Sequence, residues 1–136
     1  MDKKIIKKSI EINATPDKVW RVFTDPAITR EMGGEYATDW KVGSSFGWKN
    51  LIGNMYTSGI ILQVETDKLL KHNLFEPEDN TQISSVITYR LKGNKGNTTL
   101  SAQEEINFDM TSAQLKEVKN GWEFALGKVK ETAEKL

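Results

Sequence analysis

The chain's 136 residues suit one domain able to bury a core without staples, and its 19 basic and 19 acidic residues cancel to a formal charge of zero at pH 7. Lys and Arg are scattered among acids, which removes the electrostatic footprint of a nucleic-acid binder. The absence of cysteine removes disulfides, thiolate metal sites and thiol catalysis together. No segment approaches membrane-spanning length and no apolar run follows the basic start at Lys3 to Lys8, so a cytoplasmic protein of one domain over residues 1–136 is expected, with no membrane insertion.

In chain order, Ile6, Ile10 and Ile12 share one face of a half-buried first strand, with Lys8 the charged exception on that face. Thr15-Pro16-Asp17 reads as an N-cap, a first-position proline and a first-turn acid, ahead of the apolar Val19, Trp20, Val22 and Phe23 of a short helix. Asp25-Pro26 repeats the signal, predicting a second short helix to about Met32, stopped by Gly33-Gly34. Tyr36 with Trp40, then Phe46 with Trp48, suggest two short strands, and Gly53-Asn54 turns into a longer one whose apolar face is Tyr56, Ser58, Ile60, Leu62 and Val64.

After a turn at Thr66-Asp67, Leu70, His72 and Leu74 share a strand face. Ile83, Ser85, Ile87, Tyr89 and Leu91 share another in the strand that follows the break at Pro77 to Asn80. Gly93 to Asn97 is a loop, and Leu100, Ala102, Glu104 and Ile106 form the inner face of the last strand, with one carboxylate pointing the wrong way. Thr111 with Gln114 is a capping-box pair opening a long helix, in which Val118, Trp122, Ala125, Leu126, Val129, Ala133 and Leu136 recur at the helical period. Gly121, beside Trp122, suggests a close approach of that helix to its neighbours. Strands followed by one long amphipathic helix make an α+β fold, and a bent sheet under such a helix leaves room for a cavity.

This order, and the segments Ile10 to Trp20, Thr24-Asp25-Pro26, Val42-Gly43, Gly59 with Val64, Leu70 and Asn120-Gly121-Trp122, carry a resemblance spanning essentially the whole chain. The sequence resembles the AHSA-type branch (activator of heat-shock-protein ATPase homologues) of the START/polyketide-cyclase-like (SRPBCC) helix-grip superfamily. The resemblance implies a curved seven-stranded antiparallel sheet around the C-terminal helix, two short helices after strand one, and a cavity between sheet and helix. It also implies a choice of roles: carriers of small apolar molecules, polyketide cyclases, hydrolase-like enzymes, and domains that assist a chaperone ATPase in stress response. Met32-Gly33-Gly34 stands where members often carry a tryptophan, and Leu74 where an aromatic is common, so the cavity lining departs from the family's pattern.

Three residues are candidates for chemistry. His72, the only histidine, either faces the cavity as acid, base or ligand anchor or is satisfied by a neighbour. Glu104, a carboxylate on an apolar face, either supports proton transfer with Tyr89 or pairs with Lys8 of the neighbouring strand. One histidine and no HExxH spacing give no metal site, and no cofactor motif is present. The aromatic and thioether supply suits an apolar pocket: Trp40, Trp48, Tyr56, Met32 and Trp122 are expected in its lining. Leu62, Leu74, Ser85 and Ile87 join them from the strand faces, beside His72, Tyr89 and Glu104. The reading that follows is a binder of a small apolar molecule. A cyclase or dehydratase using the same cavity is the alternative, and a co-chaperone module touching a chaperone ATPase ranks third.

Overall fold

The computed structural model describes residues 4–76 and 78–136, with the side chain of Asn80 outside the described set, as is the expected break at Pro77. In chain order the elements begin with β1 (Lys4–Ile12), α1 (Pro16–Thr24) and α2 (Pro26–Thr29), which runs on as a 3-10 turn (Arg30–Met32). Then come β2 (Gly34–Tyr36), β3 (Ser45–Phe46), β4 (Trp48–Asn50), β5 (Gly59–Glu65), β6 (Leu69–Glu76), β7 (Asp79–Asn94), β8 (Asn97–Ile106) and α3 (Ser112–Glu134). Among the described residues, six strands make one antiparallel sheet in the order β1-β8-β7-β6-β5-β3, and β2 pairs with β4 in a separate ribbon. The fold is the expected α+β helix grip, with six strands in the sheet where seven are implied. After the two residues of β3 the chain leaves β5 at Gly47, whose carbonyl accepts from Ala37, and β4 pairs with β2 instead.

The helix signals act as read, with one difference. Asp25 accepts from the amide of Ala27 at 3.0 Å and Gly33 closes the 3-10 turn at φ 103°. Thr15 occupies the N-cap of α1 without a side-chain cap bond. At α3 both halves of the capping box are made, Gln114 N–H to the Thr111 hydroxyl at 3.1 Å and Thr111 N–H to the Gln114 side chain at 2.9 Å. Lys95 and Gly96, both with positive φ, form the tight turn of the β7–β8 hairpin.

Strand faces follow the period of two in β1 and β8, and in β7 the expected face holds from Ser85 to Leu91 while Ile83 is exposed. In β6 burial covers both parities, Leu69, Leu70, His72 and Asn73, and the register shifts at Leu74 and Phe75. The face of β5 differs from the one expected. Ile61, not Leu62, is fully buried there, opposite His72, because the pairing register slips between Ile61 and Gln63. An extra residue in one strand hands the inner face to the other parity. Leu62 is turned out, and the expectation that it lines a pocket is corrected. Before the bulge β5 and β6 approach so closely that a Cβ at Gly59 would sit 2.0 Å from the Asn73 carbonyl. The Asn73 side chain fills the resulting gap in the ladder, accepting from the amide of Ile60 at 2.8 Å.

Helix α3 lies across β1 and against α1. Its last turns bury Leu126, Val129 and Ala133, the first two contributing about 2 kcal/mol each. Polar pins run along its length: Lys8 to Glu123 at 2.8 Å, the Asn13 amide to Glu134 at 2.8 Å, and Lys130 to the Glu11 carbonyl at 2.9 Å. Nothing lies within 4 Å of a Cβ placed at Gly121 or Gly127, so the expected close approach at Gly121 does not occur. Among the described residues no helix is long and apolar enough to cross a membrane.

Candidate functional site

His72, Ile87 and Glu104 stand opposite one another across β6, β7 and β8, with Tyr89 one inward step along β7. Strands lie about 4.8 Å apart, so two strand spacings place the backbones of His72 and Glu104 roughly 10 Å apart. One proton cannot pass directly between them. The sheet brings the three candidate residues to one face, and packing then separates their roles.

His72 is buried in the core. Its ring stacks on Phe46 at 4.1 Å between centroids, and Nδ1 lies 2.9 Å from the Asn73 carbonyl, which can only accept, so the proton sits on Nδ1. Desolvation lowers its pKa to about 4, against the opposing pull of that carbonyl. The imidazole is neutral at pH 7 and a poor base.

Glu104 does not pair with Lys8. The register sets it opposite Ile6 and sets Lys8 opposite Ala102, and α3 passes overhead with Trp122 and Glu123 side by side. The indole N–H of Trp122 donates to Glu104 at 2.9 Å while Lys8 takes Glu123. Each inward-leaning charge thus finds a partner on the helix. The bond holds the Trp122 ring edge-on to Tyr89 at 5.7 Å.

Tyr89 is the hub of an aromatic chain. Phe23 of α1 meets it at 4.9 Å and His72 at 6.3 Å, while Tyr36 of β2 reaches Phe46 at 4.8 Å and Trp48 at 5.0 Å. Such pairs are each worth about 1 kcal/mol beyond burial. The hydroxyls of Tyr36 and Tyr89 face each other. Desolvation pushes Tyr36 up to about 12 against the help of the Tyr89 hydroxyl. Tyr89 goes well above its usual value through desolvation first, then Tyr36 and the Glu104 charge. Both phenols stay protonated at every ordinary pH.

Between this chain and α3 lies a cavity of about 290 Å³, walled by Phe23, Tyr36, Trp48 and Tyr89 on one side and by Trp122, Ala125, Leu126 and Val129 on the other. Met32, Phe124 and Lys128 stand at its edge and also line an outer groove of about 690 Å³ along the end of α3. Trp48, opposite Tyr36, has its indole over Gly34 two residues along β2, where a Cβ would lie 2.9 Å from the ring.

Of the expected lining, Met32, Trp48, Tyr89 and Trp122 are in place. Ser85, Ile87 and His72 are buried in the core, and Glu104 acts from behind Trp122. Trp40 packs against Tyr36 and Phe46 without lining the cavity, its backbone bent to φ 63°. Tyr56 is exposed and borders a different groove, formed by the segment before β5, Phe75 and Leu74, the last of which is half-buried against the core. The segment before β5 forms no strand beyond an isolated bridge at Met55, and the Tyr56 hydroxyl accepts from the Asn50 side chain at 3.0 Å on the outside. Missed from sequence were Phe23, Tyr36, Phe124, Ala125, Leu126, Lys128 and Val129. The helical stripe signalled Ala125, Leu126 and Val129, which read there as core.

The sequence matches the activator of Hsp90 ATPase homolog 1-like protein family over residues 13–134. The chain belongs to this family. Solved structures similar to this chain agree on the fold. A protein of Cytophaga hutchinsonii is 28% identical, with 99% of this chain and 97% of that one covered and a TM-score of 0.79. CalU16 from Micromonospora echinospora is 26% identical, covering 96% and 75%, TM-score 0.71. The Aha1 dimer from Colwellia psychrerythraea is 17% identical, covering 96% of each chain, TM-score 0.76, a likeness of fold alone. No curated protein matches the sequence.

Proposed function

We propose that this member of the activator of Hsp90 ATPase homolog 1-like family binds a small, largely apolar molecule in the cavity between the sheet and α3. The observation that carries the reading is the composition of the wall: five aromatic rings, two of them the phenols of Tyr36 and Tyr89, enclose about 290 Å³. That volume sits at the lower end of the roughly 300–1,000 Å³ usual for ligand sites. It suits a molecule of one or two rings and is too small for a sterol. Affinity comes from burial against the rings, and orientation from the tyrosine hydroxyls.

The test uses the intrinsic fluorescence of Trp48 and Trp122 and the melting temperature, read against a panel of one- and two-ring aromatics. Binding should quench the fluorescence and raise the melting temperature, and Ala125→Phe, which fills the cavity from a position with room on the helix surface, should weaken it at least tenfold. If no member of the panel binds, or if Ala125→Phe binds as the wild type does, the reading fails. Catalysis in the same cavity finds no comparable support, because His72 lies outside the lining with its Nδ1 proton committed and Glu104 is engaged by Trp122.

One observation favours a second reading, a module that docks on a chaperone ATPase. Leu51, Ile52, Met55 and Tyr56 are all exposed in the segment between β4 and β5, a run of apolar surface that a protein partner would cover. A change in the turnover of an Hsp90-type ATPase on adding this chain, lost in Leu51→Ser with Ile52→Ser, would support it. Unchanged turnover retires it.

A further inference from the structure

We propose that the molecule bound in this cavity is a ring-bearing carboxylic acid that enters ring first and leaves its carboxylate at Lys128, at the mouth. The proposal rests on the ligand-binding reading above and deepens it to a chemical class and an orientation. Its starting point is the doorway. Met32, Phe124 and Lys128 line both the inner cavity and the outer groove, so the path from solvent to the aromatic interior runs between them.

Charge is distributed unequally along that path. Lys128 is the one charged side chain lining the inner cavity among the described residues, and it stands at the outer end. At the inner end the polar atoms are the two phenol hydroxyls, with the Glu104 carboxylate behind the Trp122 ring. An anion placed there would be stripped of water beside another carboxylate, which costs far more than a neutral oxygen in the same place. The inner end therefore takes a ring or a neutral oxygen, and an anionic group is tolerated only at the mouth.

The mouth can receive it. The Lys128 ammonium lies 5.6 Å from the centre of the Phe124 ring and 3.5 Å from Glu131, one helical turn on. A pair this exposed holds weakly, and the flexible lysine stem can exchange Glu131 for an incoming carboxylate that arrives with its ring already buried. Among the side chains lining the outer groove, Glu31 and Glu131 are matched by Lys128 and Lys135, and Lys18 donates to the Leu136 carbonyl oxygen at 3.1 Å. Phe124, more than two thirds exposed, offers its face to a ring passing inward.

The experiment compares 2-naphthoic acid with 2-naphthalenemethanol, which keeps the ring and replaces the carboxylate by a neutral alcohol. Titrations of the full chain are followed by tryptophan fluorescence. The acid should bind about five- to tenfold more tightly than the alcohol at low salt, and the ratio should shrink towards one at about 0.5 M salt. Lys128→Gln should bring the ratio to about one, Glu131→Gln should raise it about twofold, and Lys116→Gln, on the exposed first half of α3, should leave it unchanged. An alcohol bound as tightly as the acid by the wild type, or a preference that survives Lys128→Gln, overturns the proposal and leaves the cavity reading standing. If neither probe binds, nor any neutral aromatic of the panel, the cavity reading falls and this one with it.

Discussion

Acidifying the protein from pH 7 to pH 4 should remove about 3 kcal/mol of stability through His72 alone. Its folded pKa lies near 4 against 6.5 unperturbed, a gap of about 2.5 pH units at 1.36 kcal/mol each. Burial disfavours the imidazolium, so the unfolded chain binds the proton first. Stability is complete above pH 6.5 and falls as the pH drops through the window from 6.5 to 4. The side chain is only 3% exposed, so solvent screening does not soften the effect. Carboxylates held low by their partners, such as Glu123 beside Lys8 and Glu134 beside Lys130, add to the loss only at the acid end of that window and below it, because their contribution fades as the pH falls from the unfolded value of 4.5 through the lowered folded one. Because His72 is the only histidine, its ring carbon gives one NMR signal to follow. That signal should stay at its neutral position down to about pH 5, and the unfolding free energy from urea titrations should fall by about 1.4 kcal/mol per pH unit below 6.5. His72→Phe, which keeps a ring on Phe46, should flatten the profile between pH 6.5 and 4.5. A titration midpoint near 6.5, or a variant profile with the wild-type slope, would refute the assignment of a neutral core imidazole.

Trp122→Phe and Glu104→Leu, measured singly and together by urea unfolding, should show a coupling of about 1–2 kcal/mol for the bond between β8 and α3; coupling within about 0.3 kcal/mol would mean it adds nothing. Gly59→Ala should cost at least about 3 kcal/mol, since the new methyl would meet the Asn73 carbonyl in a paired ladder, and a loss under about 1 kcal/mol would show that β5 and β6 part easily. Gly121→Ala has open space around it within a helix and should raise stability by about 0.5–1 kcal/mol; destabilisation in a thermal melt would reveal a contact at that position. Thr111→Ala removes one half of the capping box and should cost about 1 kcal/mol, with faster amide exchange confined to the first turn of α3 as the check.

Helix limits were legible because their causes are local. Asp25-Pro26, Gly33 and the Thr111–Gln114 box act within a few residues, and the stripe from Trp122 to Ala133 is a property of one segment. Most strand faces were legible for the same reason, period two being intrinsic to an extended chain. The face of β5 was not. Whether Ile61 or Leu62 points inward depends on the bulge, which belongs to the pairing of β5 with β6 and not to either strand alone. The site divides in the same way. That Glu104 is an anomalous inward carboxylate follows from alternation, but its partner was set by which turn of α3 lies across β1, and that placement delivers Trp122 to Glu104 and Glu123 to Lys8. That Leu126 and Val129 are apolar belongs to the sequence; that they roof a cavity beside Tyr36 and Trp48 belongs to tertiary packing, because hydrophobic patterning names the buried face and only the spacing of the packed elements leaves, or closes, the space beneath it.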